Sequence, residues 1–250
     1  MTAWYDRGND AREDLPLLVT FPFAGGGAGF YRPWRRDLVG ACELWAALLP
    51  GRETRIREQP RTELEPLIGE LVDALGPLER TYVLAGHSLG ATLALTVALG
   101  MRARGYPLPA RLVLSGSPAP HLRDIDDPAH ILDAAALVER LKTYEGTPRA
   151  LLESRELLDL LLPTIRADFA LVETWVVPDA APLAVPLTVL GGSDDGSVAR
   201  HEIEGWRMWT TRSCDVHWFS GGHFFVSSAH DRVVAVVRDA LSQLNAAAIA

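Results

Sequence analysis

A mostly parallel β-sheet covered by helices on both faces is the fold class this sequence predicts, and three observations carry the prediction. Short apolar runs of strand length alternate with longer stretches whose apolar residues recur at helical spacing, the order of crossover units. The short runs are apolar and partly β-branched, as strands buried inside a covered sheet are. One of them, Tyr82 to Ala85, passes through Gly86-His87-Ser88-Leu89-Gly90 directly into the Ala/Leu-rich segment Ala91 to Gly100.

That third observation also carries chemistry. A strand, a tight G-x-S-x-G turn and a helix in this order lift the serine into a strained, exposed position, and the flanking glycines let backbone crowd together there. The N-terminus of the following helix offers N–H groups and a positive dipole end to a developing oxyanion. An ordinary Gly/Ser turn with Ser88 capping a helix is the plain alternative. The strand before and the helix after favour a turn that presents Ser88 as a nucleophile.

The elements follow in order. Leu15 to Phe23 reads as a buried strand running into the glycine run Ala24 to Gly29. That run has neither dinucleotide spacing nor a Gly-Lys-Ser/Thr, so it is no phosphate cradle. It suits instead a loop that brings a backbone N–H beside the nucleophile. Phe30 to Val39 is a short helix with Trp34 and Leu38 inward, and Cys42 to Leu49 is the next strand. Leu64, Leu67, Ile68, Leu71, Val72 and Leu75 place a helix over Glu63 to Leu75, stopped by Gly76-Pro77. After the serine turn and its helix, Ala110 to Leu114 is another strand.

The rhythm then changes. Between Pro118 and Trp175 only helical segments appear: Ala129 to Leu141, Arg149 to Leu161, and one opened by Pro163, with Gly146-Thr147-Pro148 as a break. The expected organisation is a core of residues 1–120 and 177–250 with a helical lid insertion at 121–176. Strand Leu187 to Leu190, helix Val198 to Trp209, strand Val216 to Phe219 and a final helix from about His230 to Leu244 complete the core.

Composition bounds the function. The 250 residues suffice for one sizeable core, and 48% hydrophobic with 22% charged residues is ordinary for a globular protein. A net charge of -8 argues against general nucleic-acid binding. No run approaches the roughly 18 apolar residues of a membrane span, and Met1 to Asp14 has no apolar signal core. Cys42 and Cys214 lack metal-ligand spacing and read as buried free thiols, so the expected location is cytoplasmic.

A serine hydroxyl needs a base, and the base an acid to orient it, with the acid and base on loops after late strands. Of seven histidines, His87 lies inside the serine turn, His121, His130 and His201 in the insertion or on a helix, and His217 within a strand. His230 begins the last helix. His223, in Phe219-Ser-Gly-Gly-His223, follows a strand and is the expected base. The acid lies in Gly192-Ser193-Asp194-Asp195-Gly196-Ser197-Val198; the register G-x-x-D-x-x-V selects Asp195, with Asp194 as its rival.

Taken together, Phe21-Pro-Phe-Ala-Gly-Gly-Gly27, Leu49-Pro-Gly-Arg-Glu-Thr-Arg55, Gly86 to Gly90, Gly146-Thr-Pro148, Pro163 to Asp168, Gly192 to Asp195 and Phe219 to His223 resemble the stand-alone type II thioesterases of polyketide synthase and nonribosomal peptide synthetase systems, members of the α/β-hydrolase superfamily. The resemblance covers nearly the whole chain. It implies Ser88 as nucleophile, His223 as base, Asp195 as acid, and an oxyanion hole from the backbone N–H groups of Ala24 and Leu89. It departs at Gly196, where many relatives have proline. The implied activity is hydrolysis of stalled or misprimed acyl groups from the phosphopantetheine thiol of carrier proteins, by a monomer needing no metal or cofactor. The alternatives are an acyltransferase, a general esterase acting on a small-molecule ester, or an idle binding protein of the same fold.

One expectation concerns docking. Arg32, Arg35, Arg36, Arg52, Arg55, Arg57 and Arg61 face only Asp37, Glu43, Glu53 and Glu58 in the same stretch. Acidic carriers need positive charge where they dock, so part of this stretch is expected to receive them, the rest forming internal salt bridges.

Overall fold

A computed structural model of the protein describes residues 4–8, 12–144 and 154–249, with side chains as far as Leu244. Its strands are β1 (Tyr5–Asp6), β2 (Leu17–Phe21), β3 (Glu43–Ala47), β4 (Tyr82–His87), β5 (Arg111–Ser115), β6 (Leu187–Gly192) and β7 (Cys214–Phe219). They form one sheet in the order β1-β3-β2-β4-β5-β6-β7. Every neighbouring pair is parallel except β1 with β3. The helices are α1 (Arg32–Asp37), α2 (Leu64–Leu75), α3 (Leu89–Ala103), α4 (Ala134–Thr143), α5 (Arg155–Glu173), α6 (Arg200–Glu204), α7 (Phe225–Ser228) and α8 (His230–Ile249).

Successive strand side chains point to opposite faces, so each apolar run feeds two cores. Leu17, Val19, Tyr82, Leu84, Leu112, Leu114, Leu187 and Val189 join the inward faces of α2 and α3. Leu18, Val83, Ala85, Val113 and Leu190 join Trp34, Leu38 and the α8 residues Val233, Val234, Val237 and Leu241. Burial on both sides explains why these strands show no alternation in sequence. Six parallel strands end on one edge, and the carboxyl ends of five of them launch the glycine run, Ser88, Gly116, the Asp194-Asp195 loop and the His223 loop. Ligand sites form at that edge in parallel sheets.

The structure departs from the sequence reading in several places. Strand β1 falls in the polar N-terminal segment: Tyr5 and Asp6 pair with Ala47 and Ala46, and the Tyr5 hydroxyl donates to the Leu71 carbonyl at 3.0 Å. The helix expected over Ala129 to Leu141 is a short 3-10 turn at Ala129–Ile131, then α4, capped where the Asp133 carboxylate accepts from Ala136 N–H at 2.8 Å. Pro163 opens no helix; it lies inside α5, with Leu162, Ile165, Ala167, Asp168 and Leu171 buried around it. Burying that face outweighs the single backbone hydrogen bond that proline removes. Gly146-Thr147-Pro148 lies outside the described residues. The helix expected over Val198 to Trp209 is α6 followed by a 3-10 turn at Gly205–Trp209, and α8 runs past Leu244.

Between β5 and β6 the described residues contain no named strand. The insertion has its own small core of Ala129, Leu137, Leu141, Leu162 and Ile165, whereas Leu171 belongs to the main core.

In the arginine-rich stretch the structure shows which side chains are internally engaged. Arg52 is buried against Asp168, and Arg55 is buried, paired with Glu58 and lying over the Trp4 ring. Arg35 bonds Asp6 and the Leu44 carbonyl, Arg61 pairs with Glu70, and Arg36 with Asp37. Acids distant in sequence (Asp6, Glu70, Asp168) take up charge that looked unbalanced locally. Arg52 and Arg55 are thus internal architecture, whereas Arg32, Arg36 and Arg57 remain exposed.

Candidate active site

Ser88 sits between the last residue of β4 and the first of α3 with φ +54° and ψ −117°, a conformation rare for any residue but glycine. The crossing of backbones beneath it requires the two flanking glycines. A Cβ on Gly86 would lie 2.1 Å from the Gly90 carbonyl, and one on Gly90 2.2 Å from the Phe21 carbonyl oxygen. The Ser88 N–H donates to the Ser115 carbonyl at 2.8 Å, tying the turn to β5. Leu89 opens α3, so its N–H is among the first four that a helix leaves without an internal partner.

His223 follows β7 and is buried, with Nδ1 2.8 Å from Asp195 Oδ2. That contact leaves Nε2 as the nitrogen free to serve a reacting group. Burial alone would push the Asp195 carboxyl up. The His223 contact and the Ser197 hydroxyl and N–H outweigh it, holding the carboxyl below the ordinary carboxylate range. Asp194 turns elsewhere: its Oδ2 accepts from Gly221 N–H at 3.0 Å and from the Ser193 hydroxyl at 3.1 Å. It fastens the loop; Asp195 faces the histidine.

Ser197 was not singled out in sequence. Its hydroxyl lies 2.6 Å from Asp195 Oδ1 and 3.0 Å from His223 Nδ1, and its N–H donates to the same Oδ1 at 2.9 Å. The signal was there in Asp195-Gly-Ser197, since an aspartate that accepts from the N–H two residues on is an Asx-turn. Three other histidines are engaged elsewhere: His121 with Trp209, His130 with Glu173, His230 with Asp37. His87 lies fully buried beneath the site, Nδ1 2.9 Å from the Ser115 hydroxyl and its ring 4.9 Å from that of His223. Burial, helped by His223, holds it neutral well below the usual histidine range.

Two cavities meet at Ser88. One, of about 360 Å³, is apolar, walled by Phe23, Phe30, Leu141, Leu161, Ile165 and Phe224. The other, of about 330 Å³, is a polar cleft bearing Arg123, Asp124, Asp126, Asp127, Arg140 and Glu173. Ala24, Ser88, Tyr144, Phe169 and His223 border both. The insertion therefore forms a wall of each, and Tyr144 lies 5.3 Å, ring to ring, from His223. Of the residues expected at the site, Ala24, Ser88, Leu89 and His223 border the polar cleft together, with Asp195 behind His223. Among the described residues no cluster of three His, Cys, Asp or Glu is placed to hold a metal ion. None of the described helices is long and apolar enough to cross a membrane.

The thioesterase domain family matches residues 16–244. Linear gramicidin dehydrogenase LgrE of Brevibacillus parabrevis is 37% identical, over 90% of this chain and 87% of that protein. The dehydrogenase in that name has no counterpart in this glycine run, which lacks dinucleotide spacing. Among solved structures, the RedJ thioesterase from the prodiginine pathway of Streptomyces coelicolor is 35% identical with a TM-score of 0.85, over 90% of this chain and 89% of its own. The type II thioesterase BorB from the borrelidin cluster is 31% identical with a TM-score of 0.88, over 96% and 99%.

Proposed function

The chain belongs to the thioesterase family, and from that membership we propose that it is a stand-alone editing enzyme: a serine hydrolase that removes stalled or misprimed acyl groups from the phosphopantetheine thiol of carrier proteins in polyketide or nonribosomal peptide biosynthesis. The observation that carries the reading is a strained serine, backed by a His223–Asp195 pair, at the junction of an apolar and a polar cavity.

The chemistry follows. Ser88 Oγ attacks the thioester carbonyl while His223 Nε2 takes its proton. Asp195 holds the imidazole by Nδ1 and stabilises its charged form. The carbonyl oxygen becomes an oxyanion facing the N–H groups of Ala24 and Leu89. Collapse breaks the C–S bond, and His223 returns the proton to the leaving sulfur. Water, deprotonated by His223, then attacks the acyl-serine carbonyl; the bond to Ser88 Oγ breaks, His223 returns the proton to that oxygen, and the carboxylic acid leaves. The acyl chain lies in the apolar chamber and the polar, amide-bearing pantetheine arm in the cleft. Segment 121–176 serves as a lid over both. The enzyme acts as a monomer in the cytoplasm, the location being what the two free thiols Cys42 and Cys214 support.

Acyl groups loaded on a carrier protein test the reading. The wild type should release free acid carrying one oxygen from labelled water, and mass spectrometry with a slow substrate should find the acyl group on Ser88. Ser88→Ala should lose on the order of 10⁴-fold in kcat. An adduct elsewhere, or acyl transfer to an alcohol or amine in place of hydrolysis, refutes it.

A further inference from the structure

The glycine run after β2 is held by a buried ion pair whose acid comes from the insertion. Gly26 N–H donates to the Phe23 carbonyl at 2.9 Å, closing a turn with Ala24 and Gly25 at its centre. Gly25 has φ +75° and Ala24 is not in the left-handed region, the pattern of a type II turn. Types I and II differ by a flip of the central peptide, the one that carries the Gly25 N–H. Here that N–H donates to Asp168 Oδ2 at 2.7 Å. Arg52 grips the same carboxylate with both terminal nitrogens, at 2.8 Å and 2.6 Å, and donates to the Gly26 carbonyl at 3.0 Å. Asp168 is fully buried and Arg52 nearly so. Helix α5 comes so close that a Cβ on Gly25 would lie 2.9 Å from Ile165.

The peptide units on either side of Ala24 are thus both fixed. The Phe23 carbonyl points into the turn, so the trans peptide directs the Ala24 N–H away from it. The central peptide is fixed by Asp168. A flip of that central peptide would leave the Phe23–Ala24 peptide as it stands, so what the ion pair adds for the Ala24 N–H is the place of the whole turn against α5.

We propose that Asp168 and Arg52 are positioning residues for the reaction: by anchoring the turn to helix α5 and to the segment after β3, they hold the Ala24 N–H at the place where the oxyanion forms. The inference rests on the proposed role of Ala24 and goes beyond it, since neither residue touches the reacting atoms. The insertion is then part of the catalytic apparatus as well as its cover.

The test compares Asp168→Asn with the double variant Arg52→Met/Asp168→Leu, which replaces the pair by apolar groups of similar bulk, a change folds often tolerate. Arg166→Gln is the control; Arg166 binds the His130 and Leu132 carbonyls on the same helix and does not reach the turn. Kinetics use a short acyl thioester, and affinity is measured for a trifluoromethyl ketone analogue that forms a tetrahedral adduct on a serine. Asp168→Asn and the double variant should lose about 10²-fold in kcat, with KM within about twofold and a parallel loss of analogue affinity. Arg166→Gln should melt earlier and keep its kcat. A folded double variant with wild-type kcat, a loss confined to KM, or an equal kcat loss in Arg166→Gln overturns the proposal. If both Asp168 variants fail to fold, hydrogen exchange on the wild type decides. A Gly25 amide as protected as α5 supports the proposal, and one exchanging at the free-peptide rate refutes it. Every refuting outcome leaves the Ser88 reading intact, because that reading fails only if Ser88→Ala stays active or the adduct lies elsewhere.

Discussion

At Asp195 a carboxylate is drawn out of water and kept charged by one imidazole and one serine. Its neighbour Asp194 has the same chemistry and a different task, so the two separate in a simple experiment. Asp195→Asn should lose on the order of 10³- to 10⁴-fold in kcat, because the imidazole loses its orienting charge. Asp194→Asn should lose less than about tenfold; equal losses would refute the division. His87 gives a second prediction, on stability. Its folded form resists protonation, whereas the unfolded chain takes a proton near the ordinary histidine pKa. Below about pH 6.5 the unfolded state therefore binds more protons, and stability falls as pH falls, by at most about 1.4 kcal/mol per pH unit from this group. Urea titrations from pH 8 to pH 5 should show a shallower decline for His87→Gln than for the wild type. Parallel curves would mean that His87 is not held neutral. Among these residues, Ser88 and His223 were legible because each is bound to a local pattern after a strand. Asp195 needed a register to choose it over Asp194. Asp168 and Arg52 were not legible, since 116 residues separate them and only folding makes them partners.

For the elements, legibility followed burial. Strands β2 to β6, apolar on both faces, announce themselves in sequence, and so does the single amphipathic stripe of α2. The two-residue β1 could not be read, because it exists only through pairing with β3 and the Tyr5 hydroxyl bond. Helix α5 misled because proline was read locally, whereas the helix is held by the face it buries. Pro163 is exposed, so Pro163→Ala should restore one backbone hydrogen bond without disturbing packing. We expect stabilisation on the order of 1–2 kcal/mol, less than the full interior proline penalty of about 3 because the helix is already accommodated to it. A lower melting temperature would show that the proline shapes a bend the packing needs. The elbow is less forgiving. Gly90→Ala drives a Cβ into the Phe21 carbonyl, backbone against backbone, and should cost several kcal/mol and the activity together. A soluble variant with normal melting would contradict the geometry.

Across the whole molecule, the insertion and the sheet edge together make the two cavities, and neither could be drawn from sequence because their walls come from opposite ends of the chain. The apolar wall from α5 makes a specificity prediction. Leu161→Trp should lower kcat/KM for long acyl groups by about tenfold or more and leave acetyl nearly unchanged; an equal effect on both would place the acyl chain elsewhere. The shared boundary at Ser88 has one more consequence, for traffic. With the acyl chain of a Ser88 ester in the apolar chamber, as proposed above, the polar cleft would be left to both the departing thiol and the arriving water. Departure of the carrier and arrival of water would then compete for that cleft, and a carrier that lingers would protect the acyl-enzyme from hydrolysis and leave time for the thiol to take its cargo back. An excess of unacylated carrier should therefore slow the second half-reaction, making the enzyme busiest where carriers are scarce or blocked.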